Sequence, residues 1–528
     1  MTASGGAPAG VMQGYALLRE GRVEEAVRHA AGLLREQSDH VDALVLAGEA
    51  AVAEGAPDEA LGYMQRAIDA GPGNEALRLK QAGLLLHLRR RREALDLALS
   101  VAAKARGRGG GQALWQAASI AANCNRPLDA VPLYQQALGS MGPQPGLLYD
   151  LAVAQFFTGD FEAAEANLDR MLAIAPQAGH ALYLRSTLRR QSPGRNHVDE
   201  LKQRIAAGLG RPDQDAAAWY ALAKELEDLG EHASAFDALD TGARLRRQTL
   251  DHDIAGECEA QARIRAAYGR EVMAAPARGH AGAAPIFIVG MPRTGTTLVE
   301  RMLVHGGSVR SAGEPLDLGN LIGAHAREAL QARPQLTPAE ASLHIDFEAL
   351  GRDYARGVSE AAGAERFIDK MPANYMYCGL IRRALPEARI IHLQRDPLDS
   401  CHAVYKTLFF SAYHFSYDLD ELARYYIAYR QTMAHWHEVM PGTILDVRYE
   451  DLVADPDGQA RRILEWCGLP WDPETRYGQA PARAAFTTAS AAQVREPVHA
   501  RSVGGAQRHR KRLEPLVRRL AEAGIAVD

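Results

Sequence analysis

Residues 285–297 read PIFIVGMPRTGTT, an apolar run of strand character that leads directly into a glycine loop. Gly290 and Gly295 stand five apart, as in the nucleotide-binding loop G-x-x-x-x-G-K-[ST]. Thr296 stands where that loop has its lysine, which reaches the β- and γ-phosphates of a nucleoside triphosphate. The glycines, the backbone N–H groups and the start of a helix still suit a smaller anion. The stretch therefore predicts a strand–loop–helix unit that binds an anion, with Arg293 supplying positive charge.

Further short apolar runs follow the first one and alternate with segments of helical spacing. They lie at residues 366–369, 389–393 and 443–447, and a helical segment, 456–467, follows the last of them. Strands that alternate with helices form parallel sheets with helices on both faces, and ligands bind at the carboxyl ends of such strands. Residues 285–528 are therefore predicted to form a three-layer, P-loop-like α/β domain with a parallel sheet.

The first half of the chain repeats itself. Alanines at positions 26, 60, 94, 130 and 164 lie 34, 34, 36 and 34 residues apart, and in most copies a glycine or asparagine stands five residues before the alanine. A 34-residue period with helical patterning is typical of tetratricopeptide (TPR) repeats, with the small residue at the turn between two antiparallel helices. The next clear copy, at Ala235, comes 71 residues after Ala164, so a degenerate copy is expected at 192–209.

This periodicity predicts the organisation of the whole N-terminal half. Residues 11–270 are expected to form an all-α TPR superhelix of about six or seven repeats with a concave surface. Residues 1–10 read as a disordered tail and 271–284 as an Ala/Gly/Pro linker. The concave surface is expected to bind a protein or peptide, and the alternative is a scaffold that only positions or dimerises the second half.

Composition and charge narrow the function further. The 528 residues exceed one hydrophobic core, and a formal net charge of -5 gives no support for a nucleic-acid partner. The five cysteines are scattered without a C-x-x-C pair, which argues against a disulfide framework or a zinc site. No apolar run approaches the roughly 18–20 residues of a membrane span, and MTASGGAPAG lacks the features of a signal peptide. The expected location is the cytoplasm.

Six segments then point to a known family. PRTGTTLVERML, GEP, DKMP, HLQRDPLDSC, YEDLV and TASAAQVREPV occur in this order over residues 284–528. Together they resemble the sulfotransferases, above all the bacterial TPR-linked group, which is similar to the protein-tyrosine sulfotransferase branch. The resemblance implies transfer of a sulfonate from 3′-phosphoadenosine-5′-phosphosulfate (PAPS) to a hydroxyl or amine, without a metal. A phosphosulfate in place of a triphosphate accounts for the missing loop lysine.

The resemblance also implies which residues bind the donor. The 5′-phosphosulfate is expected in the loop and the 3′-phosphate at an arginine, with an aromatic residue near the nucleotide. In this chain those positions are Arg293, Thr294, Gly295, Thr296 and Thr297 in the loop, Arg395, and Tyr449. The family's serine eight residues after the arginine is Ala403 here, so either Ser400 or Lys406 substitutes or the contact is lost.

Catalytic roles follow from the same motifs. Glu314 matches the general base that takes the acceptor proton. Lys370 matches the cation that stabilises charge on the bridging oxygen, with Arg293 and Ser490 sharing that work. The alternative for Glu314 is an acid at a helix start or on the surface.

The C-terminal segment SVGGAQRHRKR departs from the family, which commonly has a basic residue and a tryptophan where Gly505 and Ala506 stand. Either Arg508, Arg510 or Lys511 reaches the 3′-phosphate in a shifted register, or donor affinity is reduced. Two other functions stay open: a TPR adaptor whose sulfotransferase fold has decayed, and a P-loop kinase. The acceptor can be a peptide tyrosine, a glycan, a lipid-linked or a small hydroxylated molecule, and a homodimer is possible.

Overall fold

The computed structural model describes residues 9–105, 110–276, 278–305, 307–315, 317–479, 488, 492 and 495–527. The chain forms two compact units, Met1–Leu147 and Leu148–Asp528. The division falls within the repeat region rather than at the expected linker, and the domain bounds inferred from sequence stay predictions.

The first unit is built from antiparallel helix pairs. Its helices are α1 Ala9–Arg19, α2 Val23–Glu36, α3 Val41–Glu54, α4 Pro57–Ala70, α5 Glu75–His87, α6 Arg91–Lys104, α7 Gly110–Asn123 and α8 Pro127–Met141. The repeat alanines at 26, 60, 94 and 130 are fully buried, which lets paired helices approach closely. Helix α4 ends two residues before Pro72, a residue that cannot continue a helix.

The turns inside the repeats share one backbone conformation. Gly21 and Gly55 have φ of 74° and 86°, in the left-handed region that favours glycine. Arg89 and Asn125, which stand at the same repeat position, also adopt positive φ, at 66° and 62°. The position is therefore fixed by the helix–turn–helix geometry, and glycine is its least strained occupant.

Helices of the same kind continue across the unit boundary and through the first part of the second unit. They are α9 Pro145–Thr158, α10 Phe161–Ile174, α11 Gly179–Thr187, α12 Val198–Ala207, α13 Pro212–Asp228, α14 His232–Gln248, α15 Ile254–Ala267 and α16 Arg270–Ala274. The degenerate copy expected at 192–209 contains the short helix α12. The prediction of an all-helical TPR region is confirmed.

The described residues of the second unit also form a five-stranded parallel sheet with the order β2-β3-β1-β4-β5. Its strands are β1 Ile286–Gly290, β2 Arg310–Ser311, β3 Phe367–Asp369, β4 Arg389–Gln394 and β5 Ile444–Arg448. The four strand candidates from the sequence each match one of these, and β2, only two residues long, was missed. The predicted parallel sheet with helices is confirmed.

Helices cover both faces of the sheet. They are α17 Thr296–His305, α18 Asp317–Ala332, α19 Pro338–Ala341, α20 Phe347–Ala362, α21 Cys378–Ala384, α22 Pro397–Tyr405, α23 Leu419–Val439, α24 Tyr449–Ala454, α25 Pro456–Cys467 and α26 Glu514–Glu522. Ile288 of β1 belongs to a buried cluster with Val299 of α17 and Ile463 of α25. Its neighbour Phe287 points the other way and stacks on Tyr354 of α20, 5.7 Å between ring centroids. Alternating residues of one strand thus bury two layers of helix.

Within the second unit, the repeat helices pack directly on the α/β part. Arg247 of α14 forms an ion pair of 2.7 Å with Glu421 of α23. Tyr220 of α13 donates a 3.0 Å hydrogen bond to the Tyr405 carbonyl at the end of α22. The expected linker is also packed, because a Cβ on Gly279 would lie 2.3 Å from the Arg383 carbonyl oxygen.

Candidate active site

The glycine loop after β1 is shaped by its backbone. Gly290 has φ of 148°, and a Cβ there would lie 2.7 Å from the Leu393 carbonyl oxygen of β4. Gly295 has φ of 105°, and a Cβ there would lie 2.6 Å from the ring of Tyr449. Both positions therefore require glycine. The loop ends where α17 begins, so backbone N–H groups and a helix N-terminus meet at one place, which suits an anion.

The threonines of the loop are buried rather than displayed. The Thr294 hydroxyl donates a 2.7 Å hydrogen bond to the Met291 carbonyl and so holds the loop's own turn. Thr296 and Thr297 form the first turn of α17, and the Thr297 hydroxyl lies 3.5 Å from that of Thr488. The Thr294 hydroxyl is therefore engaged within the loop itself.

The strand order places the predicted site residues in a row along the carboxyl edge of the sheet. From one side to the other, Glu314 comes just after β2, Lys370 after β3, the loop after β1, Arg395 after β4 and Tyr449 after β5. Such an edge is where parallel α/β folds bind ligands. The order separates a carboxylate–lysine side from an arginine–tyrosine side, with the loop between them.

On the arginine–tyrosine side, Arg395 joins three segments. It donates hydrogen bonds to the carbonyls of Arg293 at 3.2 Å and Ser502 at 2.5 Å. Its guanidinium lies over the Tyr449 ring, 4.7 Å from the centroid. Its Nε is buried and has no hydrogen-bond partner among the described residues. A buried, unused donor on a cation is the group that an incoming phosphate oxygen can satisfy.

The C-terminal segment folds against α22 through Asp399. The Asp399 carboxylate accepts hydrogen bonds from the backbone N–H groups of Gly504 at 2.7 Å and Ala506 at 2.8 Å. Its Oδ2 also lies 3.6 Å from the Arg395 guanidinium. The segment that departs from the family at Gly505 and Ala506 is thus held by its backbone beside Arg395.

The two substitutes considered for the missing serine occupy different places. Ser400 is buried, and its hydroxyl lies 3.4 Å from the Arg395 carbonyl. Lys406 instead forms an ion pair of 3.0 Å with Glu227 of α13. Arg508 contacts His232 of α14 at 2.9 Å, so the structure does not bring it to Arg395.

On the other side of the loop, Lys370 lies between two carboxylates. Its Nζ contacts Glu314 directly and lies 3.7 Å from Glu300 of α17. The Glu300 carboxylate also accepts a hydrogen bond from the Ser311 hydroxyl of β2. Side-chain exposure is 1% for Lys370 and 6% for Glu300 but 36% for Glu314. Glu300 therefore contacts the lysine from the interior, whereas Glu314 is partly open to solvent.

Burial and neighbouring charges shift the pKa values of these side chains and of Arg293. Burial opposes the charge of Lys370, but Glu300 and Glu314 outweigh it and raise the pKa of the lysine. Burial raises the pKa of the Glu300 carboxyl, although Lys370 acts in the opposite direction. Burial lowers the pKa of the Arg293 guanidinium, with Tyr183 and Arg395 among its charged or polar neighbours.

Sequence reasoning missed Glu300 and Tyr183. In TTLVERML an acid stands among residues of the helix face that packs on the sheet, and this pattern can mark a buried, paired charge. Tyr183 lies on α11 in the repeat region, more than 100 residues before the loop, and no sequence signal links the two. Ser490 lies outside the described residues, so its predicted role stays a prediction.

Among the described residues, one group has the geometry to hold a metal ion. His392 of β4, His437 of α23 and Asp446 of β5 offer three ligand atoms within 4.8 Å of one another. Asp446 already lies 2.7 Å from His392 and 3.1 Å from His437, and His392 lies 2.5 Å from the Tyr429 hydroxyl. Burial lowers the pKa of His392, whereas the Asp446 carboxylate raises that of His437. These hydrogen bonds also satisfy the group as a buried polar network.

Comparison with known proteins finds matches to two families of sequence model. Residues 285–473 match the sequence model of the sulfotransferase family, and residues 11–75 and 125–188 match those of tetratricopeptide repeats. The chain carries a sulfotransferase-family domain behind TPR repeats.

Individual relatives are distant. An uncharacterized protein of Aquifex aeolicus is 28% identical over 75% of this chain and 53% of its own length. Protein-tyrosine sulfotransferase of Drosophila melanogaster is 26% identical over 35% of this chain and 38% of its own. Omega-hydroxy-beta-dihydromenaquinone-9 sulfotransferase Stf3 of Mycobacterium bovis is 27% identical over 35% of this chain and 63% of its own length. The matches thus span less than two thirds of each relative.

Among solved structures, Pseudomonas aeruginosa pilF aligns with 44% of this chain and 96% of its own, at 17% identity. The TM-score is 0.32, which supports no inference about function. No helix in the described ranges is both long and apolar enough to cross a membrane.

Proposed function

We propose that this protein transfers a sulfonate group from PAPS to a hydroxyl or amine acceptor. The observation that carries the proposal is the contact between Glu314 and Lys370 beside a lysine-less anion loop. A base and a cation adjacent to the place where a phosphosulfate would lie are the two groups that this transfer needs. The sulfotransferase-family match over residues 285–473 supports the same reaction class.

Donor binding uses the row of residues along the sheet edge. The loop backbone and Arg293 hold the 5′-phosphosulfate, and Arg395 holds the 3′-phosphate through its unused Nε and the rest of its fork. Tyr449 packs against Gly295 and Arg395, so the ring forms a wall of the nucleotide site. In this arrangement Ser400 and the Ser502–Ala506 segment border the 3′-phosphate, whereas Arg508 takes part only if it leaves His232.

The reaction is an in-line displacement at sulfur. The acceptor oxygen forms a bond to sulfur while its proton passes to the Glu314 carboxylate. The bond from sulfur to the bridging phosphate oxygen breaks, and its electron pair stays with 3′-phosphoadenosine-5′-phosphate (PAP). Lys370 and Arg293 stabilise the charge that develops on that oxygen, and Ser490 is proposed to share this task. The products are a sulfated acceptor and PAP, and no metal takes part in any step.

The exposure of Glu314 fits its role. Its side chain is 36% exposed and touches Lys370, so it lies beside a cation and is still reachable by an acceptor. Glu300, which is buried, has no access to a substrate and serves to position Lys370.

Ligand-dependent stability tests the donor assignment. PAP at about 100 times its Kd should stabilise the protein by roughly 2.7 kcal/mol, measured as a shift in Tm, whereas ATP with Mg²⁺ should not. Stabilisation by ATP–Mg²⁺ alone would favour the kinase alternative. Binding of PAP without any transfer from PAPS to a broad set of hydroxyl compounds would favour the decayed adaptor.

Glu314→Gln tests the chemistry separately. The variant should lose transfer, because the amide cannot take the proton, and should keep its stabilisation by PAP. Glu348→Gln, an exposed acid on α20, is the matched control and should behave like the unaltered protein. Full turnover in Glu314→Gln would refute the assignment of the base.

The remaining parts of the proposal concern the cellular setting. The TPR region is proposed to bind a protein or peptide, a common use of such repeats. The protein is proposed to act in the bacterial cytoplasm, where PAPS is the co-substrate, and self-association through helical repeat faces is proposed as a homodimer.

A further inference from the structure

A cavity lies where the repeat helices of the second unit meet the α/β part. Its volume is about 290 Å³. One side comes from the repeat region and the other from the segment that follows α22. The lining includes Tyr149 of α9, His180 of α11, Gln214 of α13, Arg246 of α14, Leu408 and Phe410. The cavity is therefore a joint product of the TPR and sulfotransferase parts.

Three of its seven lining residues carry rings, and Asp213 completes the lining. Tyr149 and His180 pack edge to face with centroids 4.6 Å apart. Gln214 fixes His180, because its Oε1 lies 3.0 Å from the His180 Nδ1. Phe410, which also lines the cavity, is 47% exposed. Ring walls beside an exposed phenyl group favour an aromatic or large aliphatic occupant.

One polar group of the wall is unsatisfied. Arg246 donates a 2.5 Å hydrogen bond to the Phe410 carbonyl and lies over the Tyr417 ring at 5.9 Å. Its Nε is buried and has no hydrogen-bond partner among the described residues. A buried donor without a partner is destabilising, and an acceptor oxygen on a ligand would remove that penalty. A backbone carbonyl of a peptide provides such an oxygen.

The same segment that lines the cavity also borders the reacting groups. Tyr183, one helical turn after His180, accepts a 3.1 Å hydrogen bond from the Leu408 backbone N–H. Its ring meets Phe410 edge to face at 6.1 Å, and it is an electrostatic neighbour of Arg293. Tyr413, five residues after Leu408, is in turn an electrostatic neighbour of Glu314. Leu408, which lines the cavity, and Tyr413, which is influenced by the Glu314 charge, thus belong to one segment of the chain.

We propose that this cavity receives one aromatic or large aliphatic side chain of a polypeptide acceptor, close in sequence to the residue whose hydroxyl reacts at Glu314. The proposal rests on the sulfotransferase function proposed above. It makes the repeat helices α9, α11, α13 and α14 part of the acceptor site, in addition to any partner bound elsewhere on the repeats.

Size favours a side chain over a complete small molecule. Sites for small ligands usually measure roughly 300–1,000 Å³, and this cavity lies at the lower limit. One large side chain fills such a space, while Arg246 holds the adjoining peptide carbonyl.

A peptide pool tests the proposal with the full chain. The probe is a randomised peptide mixture with fixed Tyr, Ser or Thr at the centre, incubated with PAPS, and sulfated products are sequenced by mass spectrometry. The unaltered protein should enrich Phe, Tyr, Trp, Leu or Ile at one fixed distance from the sulfated residue. Phe410→Ala should remove this enrichment and lower kcat/KM for an enriched peptide by about tenfold, as expected for an interface anchor.

Matched variants separate a local from a general effect. Ile174→Ala removes a similarly exposed apolar side chain, 50% exposed on α10 and outside the cavity lining, and should change neither the enrichment nor kcat/KM. His180→Ala should reproduce the effect of Phe410→Ala from the repeat side. Stabilisation by PAP should stay the same in all three variants.

Different outcomes would refute the cavity proposal, the polypeptide acceptor or the underlying sulfotransferase function. Peptide sulfation without a positional preference, or a preference that survives both Phe410→Ala and His180→Ala, would overturn the cavity proposal and leave the sulfotransferase function intact. Transfer only to non-peptide hydroxyl compounds would overturn the polypeptide acceptor. Absence of PAP binding in the unaltered protein would instead refute the underlying function, and with it this proposal.

Discussion

Replacing Lys370 by methionine tests how the buried charge cluster works. The change keeps an unbranched side chain of similar length but removes the cation that lies between Glu300 and Glu314. Glu300, 6% exposed, is then a buried carboxylate whose remaining described contact is the Ser311 hydroxyl. Breaking a buried ion pair by removing one partner destabilises a protein by roughly 3–5 kcal/mol. We expect a loss of this size in urea unfolding at neutral pH.

The double variant Lys370→Met/Glu300→Gln separates stability from catalysis. The neutral amide no longer needs a counter-charge, and its carbonyl oxygen can still accept from Ser311. Most of the lost stability should therefore return. Turnover should remain about 10²–10³-fold below that of the unaltered protein in both variants, because the cation near the bridging oxygen is absent in each.

The pH dependence has a definite sign. Burial already raises the pKa of Glu300, and removal of Lys370 raises it further. A carboxyl group whose folded pKa is raised favours the folded state when protonated, and this contribution is lost as pH rises above its unfolded pKa near 4.5. The deficit of Lys370→Met should therefore grow from pH 5 toward pH 8. The double variant should show no such trend.

Two results would refute this reasoning. If Lys370→Met unfolds at the same urea concentration as the unaltered protein, the cluster does not hold a charged Glu300. If the double variant regains normal turnover, Lys370 has no part in stabilising the transition state.

Three further substitutions test other parts of the site. Gly295→Ala places a Cβ 2.6 Å from the Tyr449 ring at a backbone φ of 105°. The variant should bind PAP at least tenfold more weakly, as measured by isothermal titration calorimetry. Normal affinity would mean that the loop adapts to the added Cβ. Arg395→Ala should weaken PAP binding by roughly 10–150-fold, since hydrogen bonds to charged groups contribute about 1.5–3 kcal/mol. A smaller effect on the binding of PAP than on that of adenosine 5′-phosphate would contradict the assignment of Arg395 to the 3′-phosphate. Burial raises the pKa of Glu227, but Lys406 and His402 outweigh it and lower the pKa to about 2. Glu227→Gln should therefore remove a contribution to folding stability that is present above pH 4.5 and is lost as pH falls toward 2. Equal acid unfolding of the variant and the unaltered protein would exclude this.

Much of the fold could be predicted because it depends on local patterns. The strand candidates at 389–393 and 443–447 match β4 and β5 to within one residue at each end, because buried parallel strands are short apolar runs. The segment 456–467 matches α25 at both ends, where proline can start a helix and the following glycine ends it. Strand β2 has two residues and carries no pattern long enough to detect.

The site could be predicted only where a residue follows a strand. Glu314, Lys370 and Arg395 were found because they stand in motifs at strand ends, and the sheet order then aligns them. Glu300 was missed because a helix interior gives no sign that its charge is paired. Tyr183 depends on how two parts of the chain pack, which local sequence does not specify.

Arg395 has a consequence for the order in which the protein becomes active during synthesis. It contacts backbone oxygens of Arg293 and Ser502 and the ring of Tyr449, so the nucleotide end of the site joins segments separated by about 200 positions. A nascent chain that stops short of Ser502 can form every strand of the sheet yet lacks one of these supports. Donor binding should therefore appear late in translation, after the sheet has formed.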